Sequence, residues 1–342
     1  MKKRNLLSII MLLFLAMVLV ACGGGDDSEG ETNSDSGSET ESTEGSEGSE
    51  DAPEFLSLLT GGTGGTYYPL GGEIAKFISD ETGITTDSPS SNASADNMVA
   101  LQNGDAELAF VQTDVMANGI QGINAFEGQA IDNVLALGSL YPETIQIVTT
   151  ADSGIESVED LEGKTVSVGA PGSGTYINAE QILEVHGLTM DDIDAQNLDF
   201  DESTGGIQDG NIDAAFITAG TPTGSVEGLG ATEDVSIVPI TQEKVDELVE
   251  AYPYYAADTI EAGTYGLEEE VQTVAVYAMI AVVDSLSEDV VYDITKAVYD
   301  NADSITHAKG EFITKENALN GINTEFLHPG AEKYFKEIGA LE

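Results

Sequence analysis

The chain has 342 residues, with 62 Asp or Glu, 11 Lys or Arg and a formal net charge of −51. Lys2, Lys3 and Arg4 are basic and the other eight basic residues are lysines, so most of the chain lacks the cationic surface that binds nucleic acid or anionic lipid. Hydrophobic residues make up 41% of the sequence, which is enough for a packed core and excludes a wholly disordered chain.

The N-terminus has the pattern of an export signal. Its basic residues precede an apolar run at 6–21 that is too short for a typical membrane span. The run ends in Leu19-Val20-Ala21-Cys22-Gly23, which resembles the lipobox of bacterial lipoproteins. Cys22 is the only cysteine, so no disulfide forms within the chain. We predict a signal peptide at 1–21 and lipidation of Cys22; the alternative is an uncleaved anchor.

Residues 22–52 form a predicted tether between the lipid and the fold. Positions 23–52 contain eleven acidic residues, seven glycines and seven serines. Such a segment buries too little apolar surface to order itself, and its charges keep it extended. We therefore predict a disordered acidic tether without a binding role.

A strand–loop–helix pattern occurs twice in the folded part, residues 53–342. The first copy joins a predicted strand at 56–59 to the glycine-rich loop 60–67, and the second joins 165–168 to the loop 169–176. Both loops end in Gly-Thr-Tyr, and each is followed by apolar residues at helical spacing. The predicted inward positions are Leu70, Ile74, Phe77 and Ile78 in the first helix, and Ala179, Ile182 and Leu183 in the second.

A second matched segment follows each loop. The pattern Gly-x-x-acid-x-Ala-Phe-(Val/Ile) begins at Gly104 and again at Gly210, and it predicts a turn that leads into a short buried strand. Two matches in the same order and at similar spacing indicate an internal duplication, in which each copy forms an α/β lobe.

Two apolar runs connect the predicted lobes. Residues 144–149 read as a strand leading into the second lobe and residues 271–283 as a strand returning from it. The first lobe therefore resumes after the second is complete. We predict lobe I at 53–145 plus 278–342, lobe II at 146–277, and long helices at 241–251, 288–301 and 331–338.

The two glycine-rich loops are the leading candidates for a ligand site. In open α/β sheets ligands lie beyond the carboxyl ends of the strands, where both loops are placed. Their backbone N–H groups and the following helix N-termini favour an anion. The alternative is a pair of ordinary turns with Thr or Ser as helix caps. Neither loop has a P-loop or dinucleotide fingerprint, so nucleotide binding has little support.

The ends of the other matched strands should face the same cleft. These are Gln112, Thr113 and Asp114 in lobe I, and Thr218, Ala219 and Gly220 in lobe II. Asp114 either contacts the ligand or caps a helix that starts at Val115. Ser94 and Asn97 lie in a polar loop before a further helix, where they cap that helix, reach the ligand, or do both.

Several chemistries lack the residues that they need. Without an arginine in the folded part, a ligand carboxylate must be held by neutral donors and helix dipoles. The three histidines have no metal-ligand spacing, and with Cys22 lipidated no thiol nucleophile remains. We therefore expect no catalytic residue, no metal and no cofactor. A fold this acidic also predicts a halophilic or salt-tolerant source, because salt screens its self-repulsion.

The chain resembles the TAXI family of solute receptors for TRAP transporters. The matching motifs span 55–340 in order. They are Thr60-Gly-Gly-Thr-Gly-Gly-Thr-Tyr-Tyr-Pro69, Ser94-Ala-Asp-Asn97, Ala109-Phe-Val-Gln-Thr-Asp114, Gly172-Ser-Gly-Thr-Tyr176, Ala262-Gly-Thr-Tyr-Gly266, Thr273-Val-Ala-Val276 and His328-Pro-Gly-Ala331. The loop Ser90-Ser-Asn-Ala-Ser-Ala95 is poorer in glycine than the family pattern, which bears on the ligand class rather than on the fold.

The resemblance implies a two-lobed α/β type II periplasmic-binding-protein fold with the ligand cleft between its lobes. It implies a monomeric, extracytoplasmic, lipid-anchored receptor that is not an enzyme, binds a small anionic solute such as glutamate or another carboxylic acid, and delivers it to TRAP permease subunits. The ligand-binding residues expected by position are Thr63, Gly64, Gly65, Thr66, Tyr67, Ser94, Asn97, Gln112, Thr113, Asp114, Gly172, Ser173, Gly174, Thr175, Thr218, Ala219 and Gly220.

Two other classes of function stay open at the level of sequence. One is a surface lipoprotein or sensor module without a role in transport. The other is an enzyme on the same fold, for which Asp114 is the one visible general base and has no evident partner.

Overall fold

The computed structural model describes residues 52–342. The predictions of a signal peptide at 1–21 and of lipidation at Cys22, together with nearly all of the predicted tether, lie outside the described residues. Among the residues that are described, no helix has the length and apolar character needed to cross a membrane.

The first part of the described chain alternates strands and helices. A buried apolar stripe positions the first helix, in which Leu70, Ile74 and Ile78 are fully buried, whereas Phe77 is only half-buried. Gly83, at φ 74°, ends that helix in the left-handed conformation that glycine adopts without strain. The elements are β1 (Phe55–Leu59), α1 (Tyr67–Thr82), β2 (Thr85–Asp87), α2 (Ser94–Asn103), β3 (Leu108–Gln112) and α3 (Thr113–Gln121).

A long strand then leads into a second series with the same order of elements. These are β4 (Val134–Thr150), followed by β5 (Thr165–Ser167), α4 (Gly174–Val185), β6 (Asp194–Gln196), α5 (Phe200–Gln208), β7 (Ala214–Ala219) and α6 (Gly224–Gly230). The remaining elements are β8 (Val235–Ile237), α7 (Gln242–Ala251), β9 (Ala256–Ile260), β10 (Val271–Val283), α8 (Glu288–Asp300) and α9 (Pro329–Glu337).

The sheet topology confirms the predicted duplication. The strand order is β2-β1-β3-β10-β4-β7-β5-β6, with β8 on β4 and β9 on β10. β1 pairs in parallel with β2 and β3, and β5 pairs in parallel with β6 and β7. The long strands β4 and β10 pair antiparallel with each other and separate the two copies. Each copy thus places its first strand between its second and third.

The strand β4 is longer than the sequence predicted. The predicted strand covers only 144–149, and the residues before it include Gly138, Pro142 and Glu143, which are atypical of a buried strand. Gly138 is required by packing, since a Cβ atom there would lie 2.2 Å from the hydroxyl of Tyr299. The predicted strand at 271–283 and the helices near 241–251, 288–301 and 331–338 are confirmed within two residues at each end.

The hydrophobic core divides into clusters along the chain. The largest contains residues of 56–141 and 278–335, together with Ile177. Two further clusters contain only residues of 145–276. We therefore continue to propose lobe I at 53–145 plus 278–342 and lobe II at 146–277, with β4 and β10 running through both.

We predict that the protein becomes more stable as salt is added. Residues 53–342 hold 51 acidic residues and eight lysines, and the recorded ion pairs involve exposed or half-exposed lysines, such as Lys333 with Asp289. Screening should therefore relieve more repulsion than it removes attraction. Melting curves between 0.05 and 1 M NaCl at pH 7 should show a rising Tm, by roughly 2–4 °C for each kcal/mol gained.

The control for the salt effect is a parallel series near the isoelectric point of about 4.1. There the opposing charges are balanced and the increase should largely disappear. A melting temperature that falls with salt at pH 7 would contradict this account, because it would mean that ion pairs dominate.

Candidate functional site

A cavity of about 390 Å³ lies between the two glycine-rich loops. Its wall comes from both copies of the duplicated unit, from the loops after β1 and β5 and from the ends of β3 and β7. The lining residues are Gly61, Gly62, Thr63, Gly65, Thr66, Tyr67, Ser90, Ser91, Asn92, Ala93, Ser94, Gln112, Glu143, Ala170, Ser173, Gly174, Thr175, Asp199, Phe200, Thr218 and Ala219.

The structure brings most of the predicted ligand residues together at this cavity. Those that line it are Thr63, Gly65, Thr66, Tyr67, Ser94, Gln112, Ser173, Gly174, Thr175, Thr218 and Ala219. Those that do not line it are Gly64, Asn97, Thr113, Asp114, Gly172 and Gly220. Contact with a ligand stays a prediction for both groups.

Three predicted glycines join the two copies instead of lining the cavity. The carbonyl of Gly172 accepts hydrogen bonds of 3.0 Å from the backbone N–H groups of both Ala95 and Asp96, at the start of α2. The carbonyl of Gly64 accepts one of 3.2 Å from Ser225. Similarly, Gly220 donates its N–H to Thr66 Oγ1 at 3.1 Å. These bonds cross the cleft, so the structure shows it closed.

Asn97 has a structural role that the sequence did not distinguish from ligand binding. Its side chain is fully buried, and Nδ2 donates 2.8 Å hydrogen bonds to the carbonyls of Thr60 and Phe110. It therefore fixes the end of β1 to β3. Ser94 accepts a 3.1 Å bond from the N–H of Gln112. Neither residue caps α2, which starts at Ser94 itself, so the capping alternative is wrong, while ligand contact stays a prediction.

The expectation that Asp114 caps a helix starting at Val115 is also wrong. α3 begins at Thr113, and Asp114 lies inside its first turn. The carboxylate is buried, and this burial raises its pKa to about 6 against weaker opposing hydrogen bonds from the helix backbone and Asn178. Its Oδ2 accepts a 3.1 Å bond from Asn178 Nδ2.

Asn178, which the sequence did not suggest, is the centre of a buried network across the cleft. Its Oδ1 accepts hydrogen bonds from Gln112 at 3.2 Å and Thr218 at 3.1 Å. Its Nδ2 also donates to Tyr255 Oη at 2.8 Å. Because Gln112 and Asp114 belong to the first copy and the others follow β4, the network stabilises the closed form.

Glu143 is the acidic residue that reasoning from the sequence missed. It lies in β4, is 2% exposed and lines the cavity. Its Oε2 accepts a 2.6 Å hydrogen bond from the hydroxyl of Tyr67. Burial and, to a smaller extent, the nearby charge of Asp114 raise the pKa of Glu143 to about 8, in spite of the opposing hydrogen bonds from Tyr67 and Tyr141. The sequence signal that could have identified Glu143 is an acidic residue inside an otherwise largely apolar strand.

The cavity combines two helix N-termini with an acidic wall. α1 starts at Tyr67 and α4 at Gly174, both on the lining, and Ser173 caps α4 by accepting from the N–H of Tyr176 at 3.2 Å. The lining residues include two carboxylic acids, Glu143 and Asp199, and no lysine, arginine or histidine. An anionic group is therefore favoured only near the helix ends.

No metal centre is evident in the described part of the chain. Residues 52–342 contain no group of three or more His, Cys, Asp or Glu side chains placed to hold an ion. The polar lining is otherwise made of hydroxyl and amide groups, which suit hydrogen bonding to a small polar molecule.

The chain is similar to one protein family and to several proteins of known structure. A model of the NMT1-like family matches residues 58–339. The structure of PhnD1 from Prochlorococcus marinus (MIT 9301) in complex with methylphosphonate has a TM-score of 0.52 and 9% identity, and the match covers 85% of this chain and 100% of that one.

Two other solved structures are similar at comparable length. A protein from Bordetella bronchiseptica RB50 gives a TM-score of 0.52 at 17% identity, covering 84% of this chain and 81% of that one. The periplasmic aliphatic sulphonate binding protein SsuA from Escherichia coli gives 0.43 at 14% identity, covering 74% and 76%. The two structures with TM-scores of 0.52 show that the chain shares their fold, in agreement with the predicted two-lobed α/β fold.

Proposed function

The chain belongs to the NMT1-like family, and on that premise we propose that it is an extracytoplasmic receptor for a small solute. The observation that carries the proposal is the cavity of about 390 Å³, whose wall is shared by the matched loops of the two duplicated units. A site built in this way forms only when the two lobes meet, which is how a receptor couples solute capture to a change of shape.

Capture follows from the contacts across the cleft. In the open form the solute contacts one lobe, and closure then brings the donors of the other lobe to it and excludes water. The bonds of Gly172 with α2 and of Thr66 with Gly220 form at the same time. A closed receptor presents a surface that the open one lacks, and a membrane permease can recognise that difference.

We propose that the solute carries an anionic group, as in a carboxylic acid or an acidic amino acid such as glutamate. The support is the pair of helix N-termini at the cavity, together with the hydroxyl groups of Ser173 and Thr175 on its lining. The motifs that resemble the TAXI family favour a permease of the TRAP type and a monomeric receptor held to the outer face of the membrane through a lipid on Cys22.

Replacing Thr175 with valine tests the cavity as the solute site. The residue is 3% exposed and lines the cavity, and the change removes one hydroxyl at nearly constant volume. Leaving a bound acceptor without its donor costs roughly 1–3 kcal/mol, so binding should weaken about 5- to 150-fold.

Titration calorimetry against a panel of amino acids, carboxylic acids and phosphonates provides this measurement. The matched control is Thr241→Val, an exposed threonine next to α7 and away from the cavity. If no member of the panel binds the parent protein saturably, the receptor proposal fails. If a solute binds and Thr175→Val leaves its affinity unchanged, the solute binds outside this cavity.

A further inference from the structure

Two carboxylic acids, Glu143 and Asp199, line the cavity. They have no part in the anion site proposed above. Glu143 is nearly fully buried and lines the cavity; its Oε2 accepts from the hydroxyl of Tyr67, and the buried hydroxyl of Tyr141, which has no other partner among the described residues, lies beside the same carboxyl group. A buried carboxyl group that has only tyrosine hydroxyls as partners is costly to ionise unless a positive charge compensates it. The cavity lining supplies no lysine, arginine or histidine to compensate it.

We propose that Glu143 receives a positively charged, hydrogen-bond-donating group of the solute, so that the solute is a zwitterion whose anionic end lies at the N-termini of α1 and α4. This inference rests on the receptor function proposed above and specifies its substrate class. An ammonium group fits the geometry, because it brings several N–H donors to a carboxylate whose other oxygen is already held by Tyr67.

Tyr67 is the positioning residue in this arrangement. It is the first residue of α1, so it links the helix N-terminus that favours the anion to the carboxylate that favours the cation. The Tyr67 ring packs on Phe110 with centroids 4.9 Å apart, which fixes its direction. One rigid element therefore sets the distance between the two charges of the solute.

The surroundings of Glu143 keep it neutral until a cation arrives. Asp114 on α3 adds negative charge near Glu143. Tyr67 and the neighbouring Tyr141 are buried, and burial raises the pKa of both tyrosines, so their hydroxyl groups stay protonated. On the β10 side the cross-strand neighbour is Val276. With its pKa near 8, Glu143 carries a proton at pH 7 in the empty cavity.

Capture of the solute then exchanges a proton for a cation. The ammonium group approaches Glu143, the carboxyl group loses its proton to solvent, and a carboxylate–ammonium pair forms. One positive charge enters and one leaves, so the net charge buried in this part of the cavity does not change. Affinity should rise by up to about tenfold per pH unit between pH 6 and 7.5.

The test uses pairs of probes that differ only in the amino group. L-Glutamate is compared with glutarate, L-aspartate with succinate and L-alanine with propionate, by calorimetry at pH 7 in phosphate and in Tris. These buffers differ in ionisation enthalpy and so report the protons released. We expect the amino acid to be preferred in at least one pair, with close to one proton released per solute bound.

The variant Glu143→Gln keeps an acceptor for Tyr67 and mimics the neutral acid. It should weaken binding of the preferred amino acid about 10- to 100-fold and abolish proton release, with little effect on binding of the acid that lacks the amino group. Glu250→Gln, at an exposed carboxylate on α7, should change nothing. If Glu143→Gln does not fold, the pH dependence of the parent protein decides the question alone.

Two results would overturn the inference, and they are distinguishable. Equal or tighter binding of the deaminated acids, with no release or with uptake of a proton, would mean that Glu143 donates to a carboxylate, and the receptor function would stand. Absence of saturable binding by every probe in the pairs and in the wider panel would remove the receptor function and this inference together.

Discussion

Replacing Gly174 with alanine is expected to weaken solute binding severely while leaving each lobe folded. A Cβ atom at this position would lie 1.8 Å from Gln112 Oε1 and 2.4 Å from its Cδ. Gln112 belongs to the opposite side of the cleft and is itself 2% exposed and bonded to Asn178. It can move aside only by losing that bond or by entering the cavity.

The clash exists only in the closed form. Gly174 is the first residue of α4, where alanine is a better helix former than glycine, so the open protein should not lose stability. Overpacking of this kind costs about 1–3 kcal/mol, which corresponds to about 5- to 150-fold in affinity. Calorimetry with the solute that the panel identifies, together with melting of the free protein, separates the two effects.

Gly228→Ala is the matched control for this substitution. Gly228 is an exposed glycine in α6, and a Cβ atom there would have no neighbour within 4 Å. It should bind the solute as the parent protein does. Normal affinity in Gly174→Ala would show that the solute binds without the closure described above, and the role of Asn178 would have to be reconsidered.

The duplication was predictable because the motifs that reveal it are short, contiguous segments of the sequence. The repeated Gly-Thr-Tyr and Gly-x-x-acid-x-Ala-Phe patterns sit at the ends of strands, where backbone geometry restricts the residue type. Those same restrictions placed the loops at 60–67 and 169–176 on opposite walls of one cavity. Short sequence patterns were therefore sufficient to predict the topology of the two copies and most of the residues that line the cavity.

The network across the cleft was not predictable from such patterns. Asn178 lies in the middle of α4, where its type gives no sign that it bonds to Gln112, Asp114 and Tyr255. The two functions open to Asn97, helix capping and ligand contact, were equally compatible with its position after a polar loop, and the structure shows a third role, hydrogen bonds to the carbonyls of Thr60 and Phe110. Contacts between distant segments need three-dimensional information.

Glu143 shows a third kind of limit. The surrounding run of β4 contains Pro142 and Gly138, which obscured the strand, so the acid was not recognised as buried. As one of 62 acidic residues, Glu143 does not stand out by composition. Its importance comes from burial and from the hydroxyl of Tyr67, neither of which the sequence displays.

The protein is expected to lose stability as the pH rises from about 5 to about 9. Glu143 and Asp114 are buried carboxyl groups whose pKa values are raised, to about 8 and about 6, chiefly because burial penalises their charged forms. In the unfolded chain both titrate near 4. The folded state therefore binds more protons than the unfolded state between these values, and its stability falls with increasing pH.

The stabilising contribution of the two groups is fully present below pH 4 and is lost as the pH passes 6 for Asp114 and 8 for Glu143. Each unit of pKa difference corresponds to about 1.4 kcal/mol, so the combined loss is on the order of several kcal/mol. Chemical denaturation at pH 5, 6, 7, 8 and 9 measures it. These experiments use 1 M NaCl, which screens the repulsion among the surface carboxylates.

Neutral variants identify the groups responsible for the loss. Glu143→Gln should remove the part of the decrease between pH 6 and 8, and the double variant with Asp114→Asn should remove nearly all of it, because neither amide titrates. Glu250→Gln, at the surface, should leave the profile of the parent protein unchanged. A free energy of unfolding that stays constant or increases between pH 6 and 9 in the parent protein would mean that Glu143 is ionised in the empty cavity. The solute would then bind to a carboxylate that is already charged, and no proton would be released on capture.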